Sequence, residues 1–486
     1  MTCKPPRAIA ALWLSVALLL PVLSSCYSYD EELPAESVGS GAVGTDGYIN
    51  LTISVSNGTA YTRALPLGGE NGDGREAGLE RENSVSGITL ILYKGALTSS
   101  ESKVDFVAYY PTTLTSRDDP GTPYADKADE ASYTTGNQRL DRGSIDFSAT
   151  YHAIVIANRD MSATFPKGTP ISSVRDHQFS YSQLFDGSAT SPSTCGNFLM
   201  TSENDAVIDF SSITPTRIGD NADLYSISDA IRIERLAARI DFCTANATWD
   251  ATRSGYAYTV GGSTGDLFVV TKVTPFNIYN ETEYLLKRLQ DTWTGTTITT
   301  TYLTDETTDS YVVDPKTSQK DNVLTIPQYL CPLASLSTLH SYEQTMGTIA
   351  PEATFTDAYG NLSIIVGYPM ENTLMPTSHL KKYATGLAIT GHYYSKSGST
   401  YTDQGERIYY GYLRHQGEST TATYKAWKQD QLADDAIGSD GTPMNFGIVR
   451  NNIYRVSIEG INSESNMTIK IKVKKWDKFT HSMIYM

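Results

Sequence analysis

The sequence predicts an all-β protein of antiparallel β-sandwiches, with room for two large domains or three small ones. Short runs with an apolar residue at every second position recur along the chain, separated by turn-forming residues. Amphipathic helical stretches are few, and strands without interleaved helices favour antiparallel sandwiches over a parallel α/β sheet. The composition agrees: 32 tyrosines and 37 glycines accompany abundant Thr and Ser, the residues of strands and turns.

The first element is a leader. Lys4 and Arg7 precede an apolar run from Ala8 to Val22, and Leu23-Ser24-Ser25-Cys26 ends it. This is a secretory signal over residues 1–25. Small residues abutting a cysteine fit a bacterial lipobox, in which Cys26 carries the lipid (palmitate-type acylation) and begins the mature chain. The run is shorter than the ~20 residues a membrane-spanning helix needs. Loss of Lys4 and Arg7 moves the net charge from −16 to −18, which argues against nucleic-acid binding.

From Tyr27 to Asp46 a Ser/Gly/acidic stretch reads as a tether. The first strand follows, Tyr48 to Val55, with Ile49, Leu51, Ile53 and Val55 on one face. Asn57-Gly58 ends it, and Thr62-Arg63-Ala64 leads into a Gly/Asp/Glu-rich segment reaching Glu82. A well-formed strand between two loose segments is suited to being detached.

Gly87 to Tyr93 reads as a strand buried on both faces, and Ser144–Phe147 with Tyr151–Ala157 as a strand pair. A short helix is expected near Tyr181 to Phe185. In Ala230 to Phe242 the alternation of Ile231, Ile233 and Arg235 favours a strand, and Leu236-Ala237-Ala238 fits a helix equally well. Further strands are expected at Leu267–Val273, Ser363–Val366, Tyr383–Thr390, Arg407–Leu413, Asn452–Ile458 and Met467–Val473. The domain boundary is placed near residue 225.

Catalytic and metal-binding patterns fail on context. Gly261-Gly262-Ser263-Thr264-Gly265 matches the G-x-S-x-G of serine hydrolases, but that motif needs a strand before and a helix after. Strand-like sequence lies on both sides here, so a hairpin turn is expected. The seven histidines are scattered, without H-E-x-x-H. Asp434-Asp435 with Asp440-Gly441 lacks the ligand alternation of a calcium loop. Beyond Cys26, the mature chain holds Cys195, Cys243 and Cys331, which read as small buried apolar residues rather than a disulfide or zinc framework. No enzymatic activity and no cofactor or metal is expected.

The order lipobox, alternating strand, Thr62-Arg63-Ala64 and Gly/acidic stretch resembles the fimbrillins of Bacteroidales-type (type V) pili, above all the shaft subunits of short (minor) fimbriae. Phe198–Ser202, Ile233–Ile240, Tyr368–Asn372, Arg450–Val456 and Ile471–Trp476 extend the resemblance over nearly the whole mature chain. It implies two tandem transthyretin-like β-sandwiches, export to the outer membrane as a lipoprotein, cleavage by an Arg-specific protease and polymerisation by strand exchange. Cleavage between Arg63 and Ala64 would remove the lipid together with the strand carrying Ile49, Leu51, Ile53 and Val55. The C-terminal strand of another subunit would then fill the empty groove.

That gives a division into signal (1–25), lipidated propeptide (26–63), N-terminal sandwich (64–225), C-terminal sandwich (226–465) and donor strand with tail (466–486). Met467, Ile469, Ile471 and Val473 repeat the spacing of the first strand and are the candidate donor residues. Four such side chains are worth roughly 6–12 kcal/mol when buried, before ordering entropy. Two alternatives stay open. Met467–Val473 can be a strand of its own second sandwich, leaving Trp476–Met486 with Phe479, Ile484 and Tyr485 as donor; and Arg75 or Arg81 can replace Arg63 as the cut site. The expected partners are other copies of the chain and related pilus subunits, the protease, the outer membrane before processing, and host or bacterial surface ligands. The competing functions are an anchor or tip subunit, or a surface lipoprotein that binds glycans.

Overall fold

Strands supply nearly all the regular structure, as the β-branched and aromatic runs require. The computed structural model describes residues 46–55, 75–114, 132–140, 144–187, 192–290 (except 204, 221, 228, 264 and 280), 300–302, 311–320, 343–356, 360–374, 381–415, 420–426, 443–462 and 466–477. Among them, two α-helical turns occur, α1 (Glu80–Asn83) and α2 (Ile171–Arg175).

The described residues begin with β1 (Asp46–Asn50), β2 (Thr52–Val55), β3 (Arg75–Ala77), β4 (Gly87–Tyr93) and β5 (Val104–Pro111). Then come β6 (Thr113–Leu114), β7 (Ser132–Thr134), β8 (Gln138–Leu140), β9 (Thr150–Ala157) and β10 (Gln178–Ser180). β11 (Met200–Ser202), β12 (Ala206–Asp209), β13 (Thr216–Gly219), β14 (Ala222–Ser226) and β15 (Ile231–Arg235) complete the first half. One sheet runs β13-β14-β1-β8 and the other β5-β4-β9-β11-β15-β2-β7-β6, with β12 on β9. Ile49 and Leu140 from the first sheet share a core with Leu90, Val155 and Ile233 from the second. This is a sandwich.

The second half starts with β16 (Arg239–Cys243), β17 (Thr248–Asp250), β18 (Gly255–Thr259), β19 (Leu267–Phe276) and β20 (Thr282–Tyr284). Shorter strands follow: β21 (Arg288–Gln290), β22 (Thr300–Tyr302), β23 (Tyr311–Val312), β24 (Gln344–Thr345) and β25 (Thr354–Thr356). The long ones close the chain: β26 (Leu362–Gly367), β27 (Gly386–Ser397), β28 (Thr400–Tyr412), β29 (Thr420–Ala426), β30 (Asn452–Ile461) and β31 (Asn466–Asp477). They form one sheet in the order β17-β18-β19-β27-β28-β29-β31-β30-β16-β26-β25, with β24 on β19 and β3 on β31. Phe268 on one arm and Phe242 on the other join the same core, so this sheet folds back on itself as a second sandwich.

Several expectations change in detail. Ser144–Phe147 is not a strand; Asp146 instead receives the backbone N–H of Ser148 and turns the chain into β9. The run from Ala230 to Phe242 is neither one strand nor a helix. β15 pairs with β2 and β11 of the first sandwich, and β16 with β26 and β30 of the second. The sheets therefore change over at Leu236–Ala238, beyond the boundary read near 225. Gly261–Gly265 is a hairpin turn between β18 and β19, where Ser263 Oγ donates to the Val260 carbonyl and accepts from Asp266 N–H. Gly262 and Gly265 take positive φ, which glycine adopts without strain. Cys195 and Cys243 are buried cysteines outside any disulfide; Cys331 and the Asp434–Gly441 segment lie outside the described residues.

Candidate functional site: the first-strand slot

The run Tyr48–Val55 becomes two strands because it crosses between sheets at Leu51. β1 lies between β14, to which it is parallel, and β8, to which it is antiparallel. β2 lies likewise between β15 and β7. At the crossing, Leu51 N–H donates to Thr135 Oγ1 (3.1 Å) and the Leu51 carbonyl accepts from Thr135 N–H (3.1 Å). Ile49, Leu51, Ile53 and Val55 are each fully buried. The opposite face is not left to water throughout, since Ser54 is buried too. The strand is thus an interior strand in both sheets, with a wall on each side.

Downstream of this strand, α1 is pinned into the molecule. Arg81 donates from Nε to the Cys195 carbonyl (2.9 Å), and from a terminal guanidinium nitrogen to the carbonyls of Pro192 (2.8 Å) and Glu352 (2.9 Å). Glu82 and Asn83 are buried. Glu82 pairs with Arg239 at 2.8 Å and accepts from the Tyr368 hydroxyl. Arg235 donates to the Glu82 carbonyl, to Asn83 and to Asn451. A protease needs an accessible extended segment around its bond, and the Arg81–Glu82 bond offers none. Arg75 lies in β3, paired in parallel with Lys475–Asp477. Cys26, Arg63 and Ala64 fall outside the described residues.

The candidate donor residues occupy a different place from the one expected of a donor. β31 lies between β29 and β30 of its own chain, antiparallel to both. Met467, Ile469 and Ile471 are buried in the second core; Val473 pairs with Tyr454. Their alternation is used to close their own sandwich, the arrangement that the sequence left open beside the donor reading. Phe479, Ile484 and Tyr485 lie outside the described residues.

Four of the segments that carry the resemblance, Phe198–Ser202, Ile233–Ile240, Tyr368–Asn372 and Arg450–Val456, meet at the junction of the two sandwiches. Tyr368 packs on Phe198 (4.9 Å between ring centroids). Arg450 pairs with Glu371 (2.9 Å) and Glu283 (3.0 Å), and Glu234 with Lys287 (2.7 Å). Arg239 forks onto both oxygens of Asp241, which also holds Arg455. Burial pushes the Glu234 carboxyl up to about 7 despite Lys287 and Arg450 beside it. Burial likewise holds Glu283 well above the usual carboxylate range. Glu234, Arg239, Glu371, Arg450 and Arg455 lie in segments that carry the resemblance, whereas Asp241, Glu283 and Lys287 do not; their role as a buried ionic junction is visible only in three dimensions.

Solved structures were found that are similar to the chain. Two are proteins of Parabacteroides distasonis provisionally described as cell adhesion proteins. One is 12% identical, with TM-score 0.43, over 90% of this chain and 100% of that one. The other is 14% identical, with TM-score 0.42, over 90% and 99%. A third is the tip fimbrial protein Mfa3 of Porphyromonas gingivalis with a C-terminal truncation, at 11% identity and TM-score 0.40 over 89% and 100%. No family model and no curated protein matches the chain.

Proposed function

We propose that the chain is a structural and adhesive pilus subunit without enzymatic activity. It is exported as an outer-membrane lipoprotein acylated at Cys26, cut after Arg63, and polymerised by strand exchange at the cell surface. The observation that carries this is the placement of Ile49, Leu51, Ile53 and Val55 in a slot walled on both sides. A departing strand there leaves two open sheet edges and an apolar groove, which a strand from another subunit fills by main-chain pairing and alternate side chains. Because β31 has its own place, the donor in this proposal is the end of the chain beyond it, with Phe479, Ile484 and Tyr485.

The intact mass of surface-associated protein, before and after treatment with an Arg-specific protease, tests this. A chain starting at Ala64 together with detergent-resistant ladders is the expected result. A chain that still starts at a lipidated Cys26 and forms no ladder would replace the shaft role with that of an anchor or a glycan-binding lipoprotein.

A further inference from the structure

We infer that β7 and β8 form a strap that is folded only while the slot is occupied, so the slot holds an extended strand by folding its second wall onto it. The two walls are built differently. On one side β15 is also paired with β11, which β9 joins to the body, and β14 with β13; the β15 part of that wall stands without the first strand. On the other side, among the described strands, β8 pairs with β1, β7 with β2 and β6, and β6 with β7. The main-chain ladder that ties this wall to the body runs through the very strand it covers and, at its outer edge, through the two residues of β6, which follow β5 after Thr112.

The remaining ties are side-chain ones. The Tyr133 hydroxyl donates to the Asn83 carbonyl (2.7 Å) and that of Tyr110 to the Arg139 carbonyl (3.3 Å), while Tyr133 and Leu140 reach the core. Thr135, between β7 and β8, exchanges two hydrogen bonds with Leu51. Two-stranded pieces of three residues are not stable alone, so withdrawal of the strand lowers the strap to the least stable part of the half.

The geometry also states what the slot accepts: an extended segment with large aliphatic side chains at four alternate positions, running parallel to β14 and β15 and antiparallel to the strap. That this segment comes from a second copy of the chain rests on the strand-exchange reading; the coupling of strap to strand does not.

Native-state amide exchange on the intact precursor tests the coupling. In Leu51→Ala, exchange in β1–β2 and in β7–β8 rises together, by tenfold or more, while β4 and β9 hold. Thr135→Val, a milder change on the strap side, raises both sets several-fold. Strap amides that ignore either substitution would overturn the inference. A second arm uses precursor cleaved within residues 56–74 and stripped of its first strand, with a synthetic Tyr48–Val55 peptide as probe. The strap is expected to exchange fast in the empty chain and to regain protection with peptide. Peptide capture by a chain whose strap was protected throughout sinks the strap and keeps strand exchange. Failure to capture peptide, with strap and strand still coupled in the precursor, sinks strand exchange and keeps the strap.

Discussion

Glu82 and Arg239 are a fully buried ion pair, 2.8 Å apart, that joins α1 at the start of the first sandwich to β16, the first strand of the second. Arg239 also forks onto Asp241, and Arg235 holds the Glu82 carbonyl. The helical turn α1 is thereby fixed to the point where the chain passes between sandwiches.

Breaking that pair is expected to be costly. Glu82→Ala leaves Arg239 with one carboxylate partner in a dry site and should lower stability by about 3–5 kcal/mol. Tyr368→Phe, which deletes only a hydroxyl bonded to Glu82, should lower it by about 1 kcal/mol. Urea unfolding followed by tyrosine fluorescence ranks the two; equal effects would mean that the charge pair is not what matters.

Processing should avoid α1. Trypsin-like cleavage of the folded precursor is expected after Arg63, giving a new terminus at Ala64, and none at Glu82. Arg63→Ala should prevent that terminus, whereas Arg81→Ala should leave the cut in place and lower stability through three lost carbonyl contacts. N-terminal sequencing of the digests decides, and a Glu82 terminus from folded protein would contradict the burial argument.

The second core should tolerate charge on one face of β31 and not on the other. Ile471→Asp places an unpaired carboxylate in the core beside Val456 and is expected to unfold the second sandwich, at a cost of several kcal/mol. Lys472→Asp, one residue along and partly exposed, should fold. Circular dichroism melts compare them. A well-folded Ile471→Asp monomer would show that β31 can leave its sheet, returning Met467–Val473 to the donor role.

Acid should act on the junction through two groups with opposite signs. The folded-state pKa of Glu234 is raised to about 7, so the fold binds its proton more tightly than the unfolded chain does. Between about 7 and 4.5 this makes the fold more stable as pH falls. His415 is buried, with Nδ1 against the Tyr454 hydroxyl at 2.8 Å, and burial pushes its pKa down to about 3. Here the unfolded chain binds the proton first, so stability falls with pH from about 6.5 towards 3. Glu234→Gln removes the first contribution and should steepen the loss of stability on acidification below pH 7. An unchanged pH profile would mean that Glu234 is ionised in the fold.

Local pattern alone determined the class, most strand positions and the hairpin at Ser263, because period-two alternation and turn chemistry are set within a few residues. It also determined that Ile49, Leu51, Ile53 and Val55 face a core. It did not determine which core Met467, Ile469 and Ile471 face: the same alternation serves a strand lent to another chain and one kept at home. Only the pairing of β31 with β29 and β30 decides that. The same holds for Arg81, which by sequence is one basic residue among three and by structure is tied to three carbonyls. Glu82, Arg239, Glu283, Glu371 and Arg450 carry no local signal of burial. Charged residues enter the interior only where distant partners meet them, and that meeting is a property of the folded chain.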